Sequence, residues 1–130
     1  MTRPAPPQTA ARLAFTYPGE IVPYVRVGQE RWTPRARRYF ASKDNLGLAV
    51  KLQMQANGWP MLPPKTPFVV SALFWRRRLY TADVDNLVKA ALDALQGIVF
   101  EDDRYCLRVE AEKRRGGADF MELEIEEVVE

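Results

Sequence analysis

The sequence predicts a single α+β domain in which two helices cover a mixed sheet of about five strands. Short segments with alternating apolar residues predict the strands, longer segments with helical spacing predict the helices, and stretches rich in Pro and Gly separate them. A chain of 130 residues is long enough to bury one core. We therefore expect a domain over residues 12–130, preceded by a flexible Pro-rich tail over residues 1–11.

The first part of the chain contains three predicted strands. In residues 12–17, apolar side chains alternate with smaller or more polar ones, which predicts a half-buried strand that ends at Pro18. A second, short strand is expected over residues 24–27. Residues 68–75 are apolar on both faces, which is typical of a central strand.

A long helix is expected to begin at Thr33 and Pro34, because a hydroxyl residue suited to the N-cap precedes proline at the first helical position. Helical composition continues to about Ala56, although Gly47 lowers the helix propensity of the middle. The residues expected to face the core are Tyr39, Leu46, Ala49, Val50 and Met54. The basic residues near the start are Arg35, Arg37, Arg38 and Lys43.

A second, shorter helix is expected after Asp83. At about 100° per residue, Asp85, Lys89 and Asp93 lie along one side of it, and Gly97 is a natural C-terminal stop. The opposite arc is apolar and consists of Leu87, Val88, Ala91, Leu92, Ala94 and Leu95. The helix therefore combines a face for the core with a narrow charged stripe.

Two further strands are expected near the end of the chain. Apolar residues alternate with charged ones in residues 107–112 and again in residues 121–126. Because Gly116 and Gly117 lie between these segments, we expect the two strands to form a hairpin.

Composition and charge exclude several classes of protein. No segment approaches the roughly 20 apolar residues of a membrane span, and the start lacks the apolar core of a signal peptide. The only cysteine, Cys106, can form neither an internal disulfide nor a structural zinc site, so a cytoplasmic location is expected. Residues 1–80 contain 13 Lys or Arg and 3 Asp or Glu, whereas residues 81–130 contain 6 and 14. A basic half of this kind suits a protein that attracts a polyanion.

The acids around the second helix, together with Asp102 and Asp103, predict a metal site. Carboxylates that converge on one point repel one another unless a cation compensates. Mg²⁺ takes oxygen ligands, and the chain has no histidine to offer a softer metal. A structural interpretation also exists, with Asp85 as an N-cap, Lys89 as its i+4 partner, and Asp102 and Asp103 as an ordinary turn.

Residues 83–103 read DVDNLVKAALDALQGIVFEDD and resemble the RusA-like Holliday-junction resolvases, small phage and bacterial endonucleases that cut four-way DNA junctions. The family pattern is similar to Asp-x-Asp-Asn-x-x-Lys-x-x-x-Asp-(Ala/Gly)-Leu, followed by a short apolar run and Asp-Asp. The resemblance implies that three acids bind metal and that one lysine is essential, namely Asp83, Asp85, Asp103 and Lys89. Further motif positions are matched by Asn86, Asp93 and Asp102.

This resemblance implies a RusA-like fold and hydrolysis of DNA phosphodiester bonds with Mg²⁺ or Mn²⁺ and without an organic cofactor. A four-way junction has two-fold symmetry and requires two matched nicks, so a homodimer is also implied, as is a bacterial or phage origin. The candidates for contacts with the DNA backbone are Arg35, Arg37, Arg38, Arg76, Arg77 and Arg78.

Two other functions stay open at this point. A protein that binds branched DNA without cutting it would show no metal-dependent cleavage. A small-molecule phosphohydrolase would respond only mildly to salt, whereas DNA binding weakens steeply as salt rises.

Overall fold

The computed structural model describes residues 11–24 and 33–129. Its elements are β1 (Arg12–Tyr17), α1 (Pro34–Asn57), β2 (Phe68–Arg76), α2 (Val84–Leu95), a 3-10 turn (Asp103–Tyr105), β3 (Cys106–Arg115) and β4 (Phe120–Glu127). The predicted α+β class is confirmed, with four strands in the described part of the chain rather than about five. The strand expected over residues 24–27 and the tail expected over residues 1–11 lie almost entirely outside the described residues.

The sheet is mixed, with the strand order β1-β4-β2-β3. β3 runs parallel to β2, and α2 provides the crossover that a parallel pair requires. β4 is antiparallel to both β1 and β2. The interior position that the apolar sequence predicts for β2 is therefore confirmed.

The predicted hairpin between the last two strands is wrong, because β2 lies between β3 and β4. The connection instead crosses the end of β2, where the Gly116 N–H donates to the Arg76 carbonyl at 3.1 Å. A Cβ atom at Gly116 would lie 3.3 Å from the ring of Trp75, so the crossing is close enough to favour glycine. Alternating residues around a Gly-Gly pair fit a hairpin and this crossing equally well.

One face of the sheet packs against the helices to form the core. Leu13 and Phe15 in β1 are buried, as their alternation predicts, and Leu123 in β4 is buried beside them. Phe68 of β2 stacks on Phe100, with the ring centroids 4.4 Å apart. α1 contributes Tyr39, Leu46, Val50 and Met54 to the same core. The glutamates that alternate with the buried residues of β4 lie on the outer face, as at exposed Glu122 and Glu126.

α1 begins and ends close to its predicted limits. The Thr33 hydroxyl caps its start by accepting from the Ala36 N–H at 3.2 Å, and Gly58 ends it in the left-handed conformation, with φ 67°. Gly47 lies where α1 meets the end of α2, since a Cβ there would be 3.0 Å from Ile98 Cδ1. Neither helix in the described ranges is both long and apolar enough to span a bilayer.

Candidate active site

The acidic segment follows the carboxyl end of β2, so the arginines and the first acids leave the sheet at the same place. In parallel arrangements such as β2-α2-β3, ligands commonly bind beyond this end of the strands. The connection carries Arg77 and Arg78 first and reaches Asp83 directly before α2 begins.

Asp83 occupies the N-cap position of α2, with φ −75° and ψ 142°, yet its side chain makes no capping hydrogen bond. Asp85 is exposed in the first turn, so the interpretation of Asp85 as the N-cap is wrong. Asp83 and Asn86 line a cavity of about 230 Å³ together with Tyr24, Tyr80 and neighbouring residues. The carboxylates of Asp83 and Asp85 both lie at the N-terminus of α2, where the helix dipole favours negative charge.

The loop before Asp83 is held by Lys113, a residue that the sequence did not single out. Its ammonium donates to the carbonyl of Leu79 at 3.0 Å and to that of Ala82 at 2.9 Å. The Thr81 hydroxyl adds a bond within the loop, donating to the Arg78 carbonyl at 2.9 Å. A signal was present, because Lys113 interrupts the apolar alternation of β3 at a position that pairs with buried Phe74.

Lys89 lies one turn along α2 from Asp85, and its ammonium nitrogen is 4.0 Å from the ring centroid of Tyr24. The backbone N–H of Tyr24 donates to the Asn86 carbonyl at 3.1 Å, which fixes the ring beside the helix. The ion pairs of the described residues do not include Lys89, so the expected i+4 partnership with Asp85 is not observed. A cation over an aromatic face is stabilised without a neutralising carboxylate.

Asp93, one turn further along α2, connects the two helices. Its carboxylate accepts a hydrogen bond from the Tyr39 hydroxyl at 3.0 Å. Burial of the phenol, followed by the negative charge of Asp93, raises the pKa of Tyr39 above its ordinary value. The Tyr39 ring also packs edge-on against Tyr24, so the same two tyrosines contact both Lys89 and Asp93.

Asp102 and Asp103 differ in their surroundings. Asp102 accepts from the backbone N–H and the guanidinium of Arg104, both at 3.0 Å, and these bonds lower the pKa of its carboxyl. The turn interpretation is therefore confirmed for Asp102. Burial, and then the charge of Asp102, raise the pKa of Asp103. The backbone N–H of Asp103 donates to the side-chain oxygen of Gln96 at 3.4 Å.

The acids thus form two groups along α2. Asp83 and Asp85 lie at its beginning, whereas Asp93 lies near its end together with Asp102 and Asp103. A helix of 12 residues spans about 18 Å. Within residues 11–24 and 33–129, no three acidic or thiol side chains lie close enough to hold one metal ion, so the expected convergence of Asp83, Asp85 and Asp103 is not observed.

The profile of the RusA endodeoxyribonuclease family matches residues 4–126 of the chain. The chain belongs to the RusA endodeoxyribonuclease family. The match covers far more than the acidic segment, so the resemblance extends over most of the chain. The family implies endonuclease activity on Holliday junctions. No curated protein matches the chain.

In this RusA-family chain, arginines from two elements line one cavity of about 870 Å³ beside the acids. These arginines are Arg35 and Arg38 of α1 and Arg76, Arg77 and Arg78 at the end of β2. Arg76 is only 5% exposed and donates to the Ile21 carbonyl at 3.1 Å. Arg37 is exposed on α1 but does not line the cavity.

Most of the aromatic residues in the described segments serve in packing. Trp75 stacks on Phe120 at a centroid separation of 5.5 Å, and Trp59 packs edge-on against Phe15 at 5.6 Å. Tyr80 is 83% exposed and lines the cavity of Asp83. An exposed ring at this place is available to stack on a nucleic-acid base.

Proposed function

We propose that this RusA-family chain is a metal-dependent endonuclease whose nuclease domain, over residues 12–130, resolves four-way DNA junctions by paired symmetric nicks. The observation that carries the proposal is that the Asp83 side chain makes no capping hydrogen bond to α2. Its carboxylate stands at the start of α2 without making the capping bond that would give it a purely structural purpose. Asp85 is exposed one residue into the helix and supplies a second carboxylate at the same end.

The donor set supports Mg²⁺, with Mn²⁺ as a substitute. The chain has no histidine and only one cysteine, so its metal donors are oxygens, which suit hard cations. Mg²⁺ is usually held by one or two carboxylates together with waters and substrate phosphate. Asp83 and Asp85 would bind the ion. The family resemblance implies Asp103 as the third metal-binding acid. When bound, the ion would lower the pKa of a water and offset charge on the reacting phosphate.

Lys89 would act on the scissile phosphate. Its ammonium lies on the same side of α2 as Asp85. Among the described residues, Lys89 forms no ion pair with a carboxylate. A compact ammonium suits the stabilisation of negative charge that develops on phosphate oxygens. Tyr24 would hold Lys89 in place through the contact of ring and cation.

The DNA would be bound through its backbone by the arginines at the end of β2 and the start of α1. Arg77 and Arg78 are exposed on the loop that leads to Asp83, and Arg37 is exposed on α1. Two matched nicks on a two-fold symmetric junction require two active sites, so the protein would act as a homodimer.

The test is cleavage of a labelled four-way junction, compared with linear duplex of the same sequence, in Mg²⁺ or in EDTA. We expect the wild type to make symmetric nicks in the junction only with metal. Asp85→Asn should bind the junction but fail to cut it, while Glu126→Gln, which removes an exposed carboxylate from β4, should cut normally. Equal cleavage by Asp85→Asn and wild type would contradict the assignment of this carboxylate.

Two other outcomes of the same assay favour different functions. A wild type that binds the junction but cuts with neither Mg²⁺ nor Mn²⁺ would be a protein that binds branched DNA without cleaving it. Turnover of a small phosphate ester that is insensitive to salt, without junction binding, would indicate a phosphohydrolase, because counterion release makes DNA binding strongly salt-dependent.

A further inference from the structure

The cavity lined by arginines, here called the arginine cleft, is distinct from the cavity that contains Asp83. It has a volume of about 870 Å³. Its basic lining residues are Arg35, Arg38, Arg76, Arg77 and Arg78, and its acidic ones are Glu20 and Asp119. Asp119 already accepts a hydrogen bond from the backbone N–H of Arg77 at 2.7 Å. The cleft is therefore strongly positive and suits an anion.

Among the described residues, one donor of buried Arg76 lacks an acceptor. One terminal nitrogen donates to the Ile21 carbonyl, and the other lies 3.4 Å from the Thr81 hydroxyl and 3.8 Å from the half-exposed Glu20 carboxylate. Its Nε–H is buried and has no acceptor among the described residues. Burial of a cationic donor without an acceptor is unfavourable, so an anion bound in the cleft, which Arg76 lines, would stabilise the buried guanidinium.

The start of α1 adds to the positive charge of the same cleft. Thr33 and Pro34 line it, and the first turn contains no acidic side chain. Arg35 and Arg38 instead place cations near the helix N-terminus, where positive charge is unfavourable. An anion bound in the cleft would offset both the helix dipole and this repulsion.

We propose that the arginine cleft is a phosphate-binding subsite that holds a DNA backbone phosphate next to the scissile one. The cleft shares Pro23, Arg35 and Thr81 with the smaller cavity that contains Asp83, so one strand can pass from the first cavity to the second. The choice of a DNA phosphate as ligand rests on the proposed nuclease function. The affinity of the cleft for phosphate as such does not depend on it.

Inorganic phosphate is the first probe, followed by NMR of arginine Nε–H groups in the full-length protein. We expect the Arg76 signal to shift saturably as phosphate is added. Arg38→Gln should weaken phosphate binding about tenfold, as expected for the loss of one charge-assisted hydrogen bond. Lys51→Gln removes one positive charge from an exposed position of α1 that does not line the cleft, so it should leave phosphate binding unchanged. An Arg76 signal that does not move, or equal loss in both variants, would overturn the proposal.

A second experiment tests whether the bound phosphate belongs to DNA. It measures junction binding in EDTA, with one backbone phosphate of the cut strand at a time replaced by a neutral methylphosphonate. One position near the cut should weaken binding by wild type and by Lys51→Gln but not by Arg38→Gln. If the cleft binds inorganic phosphate but no methylphosphonate position weakens junction binding in this way, the cleft does not hold a DNA phosphate. That result would overturn the proposal for the DNA strand. Because neither experiment requires cleavage, a failure of the nuclease function would appear separately, as an uncut junction in Mg²⁺.

Discussion

The Lys89 ammonium nitrogen lies 4.0 Å from the ring centroid of Tyr24, and the Tyr24 backbone is itself bonded to Asn86 of the same helix. An aromatic face therefore holds the lysine that we place at the scissile phosphate. Tyr24→Leu should remove the attraction between ring and cation, which is worth about 0.5–1 kcal/mol at an exposed site, and slow single-turnover cleavage about two- to fivefold.

Tyr24→Phe is the matched control, because phenylalanine keeps the ring and loses only the hydroxyl. It should cleave at the wild-type rate. Equal losses in the two variants would mean that the hydroxyl matters and that the ring face does not position Lys89.

Lys113 donates two hydrogen bonds to the loop that precedes Asp83. Lys113→Met should therefore destabilise the protein and raise the metal concentration that cleavage requires. Two backbone carbonyls would lose a charged donor, which should lower the free energy of unfolding by about 1–3 kcal/mol in urea titrations. The Mg²⁺ concentration for half-maximal cleavage should rise. Arg114→Met, on the exposed side of the same strand, should change stability by less than about 0.5 kcal/mol. Stability lost without any change in the Mg²⁺ response would limit Lys113 to a structural role.

The bond from Tyr39 to Asp93 should make the stability of the protein depend on alkaline pH. Because the folded state raises the pKa of Tyr39, folding favours the neutral phenol. The contribution is complete below the ordinary tyrosine pKa of about 10 and is lost as pH rises toward the higher folded value.

Tyr39→Phe should therefore be less stable than wild type at pH 7–9, and the gap should narrow as pH rises above about 10. Unfolding by urea at a series of pH values measures this directly. A gap that stays constant up to pH 12 would show that Tyr39 does not ionise differently in the folded and unfolded states.

Gly47→Ala should not give the stabilisation of about 1 kcal/mol that replacing glycine within a helix usually gives. The new Cβ would lie 3.0 Å from Ile98 Cδ1 and 3.2 Å from the Ala94 carbonyl oxygen, so these neighbours would have to shift to make room for it. We expect thermal unfolding to show a neutral or destabilising effect. Ile98→Val removes Cδ1 and should make Gly47→Ala more favourable in a double-mutant cycle. Simple additivity of the two changes would contradict a clash at this contact.

The elements that depend on neighbouring residues could be predicted from the sequence. The alternation around Leu13 and the cap at Thr33 each act within one strand or one turn, and the structure contains both. α2 ends at Leu95, two residues before the expected stop at Gly97, because Gln96 is already extended. The charged stripe of α2 also follows from helical spacing alone. The strand order could not be predicted, since the position of β2 between β3 and β4 depends on the crossover through α2.

The parts of the site that depend on tertiary contacts were also beyond prediction. Nothing near Lys89 in sequence indicates that Tyr24 covers it, because 64 residues separate them. Arg76 has the same charge as Arg77 and Arg78, yet it alone is buried, because it is still part of β2 and points among the loops around Ile21. Spacing indicated which acids share α2, but not that Asp103 would lie near the end of this helix, beside Gln96, and not near Asp83.

The strand order makes the beginning of the domain dependent on its end. Among the described strands, β1 pairs only with β4, and β4 also pairs with β2, so β4 joins β1 to the rest of the sheet. During synthesis, residues 12–17 lack the strand partner seen in the described structure until residues 120–127 have been made. Pairing over such a long stretch of chain is slow to form. A product that stops before β4 lacks the strand that pairs with both β1 and β2, so the sheet that supports the nuclease site is completed only when β4 has been made.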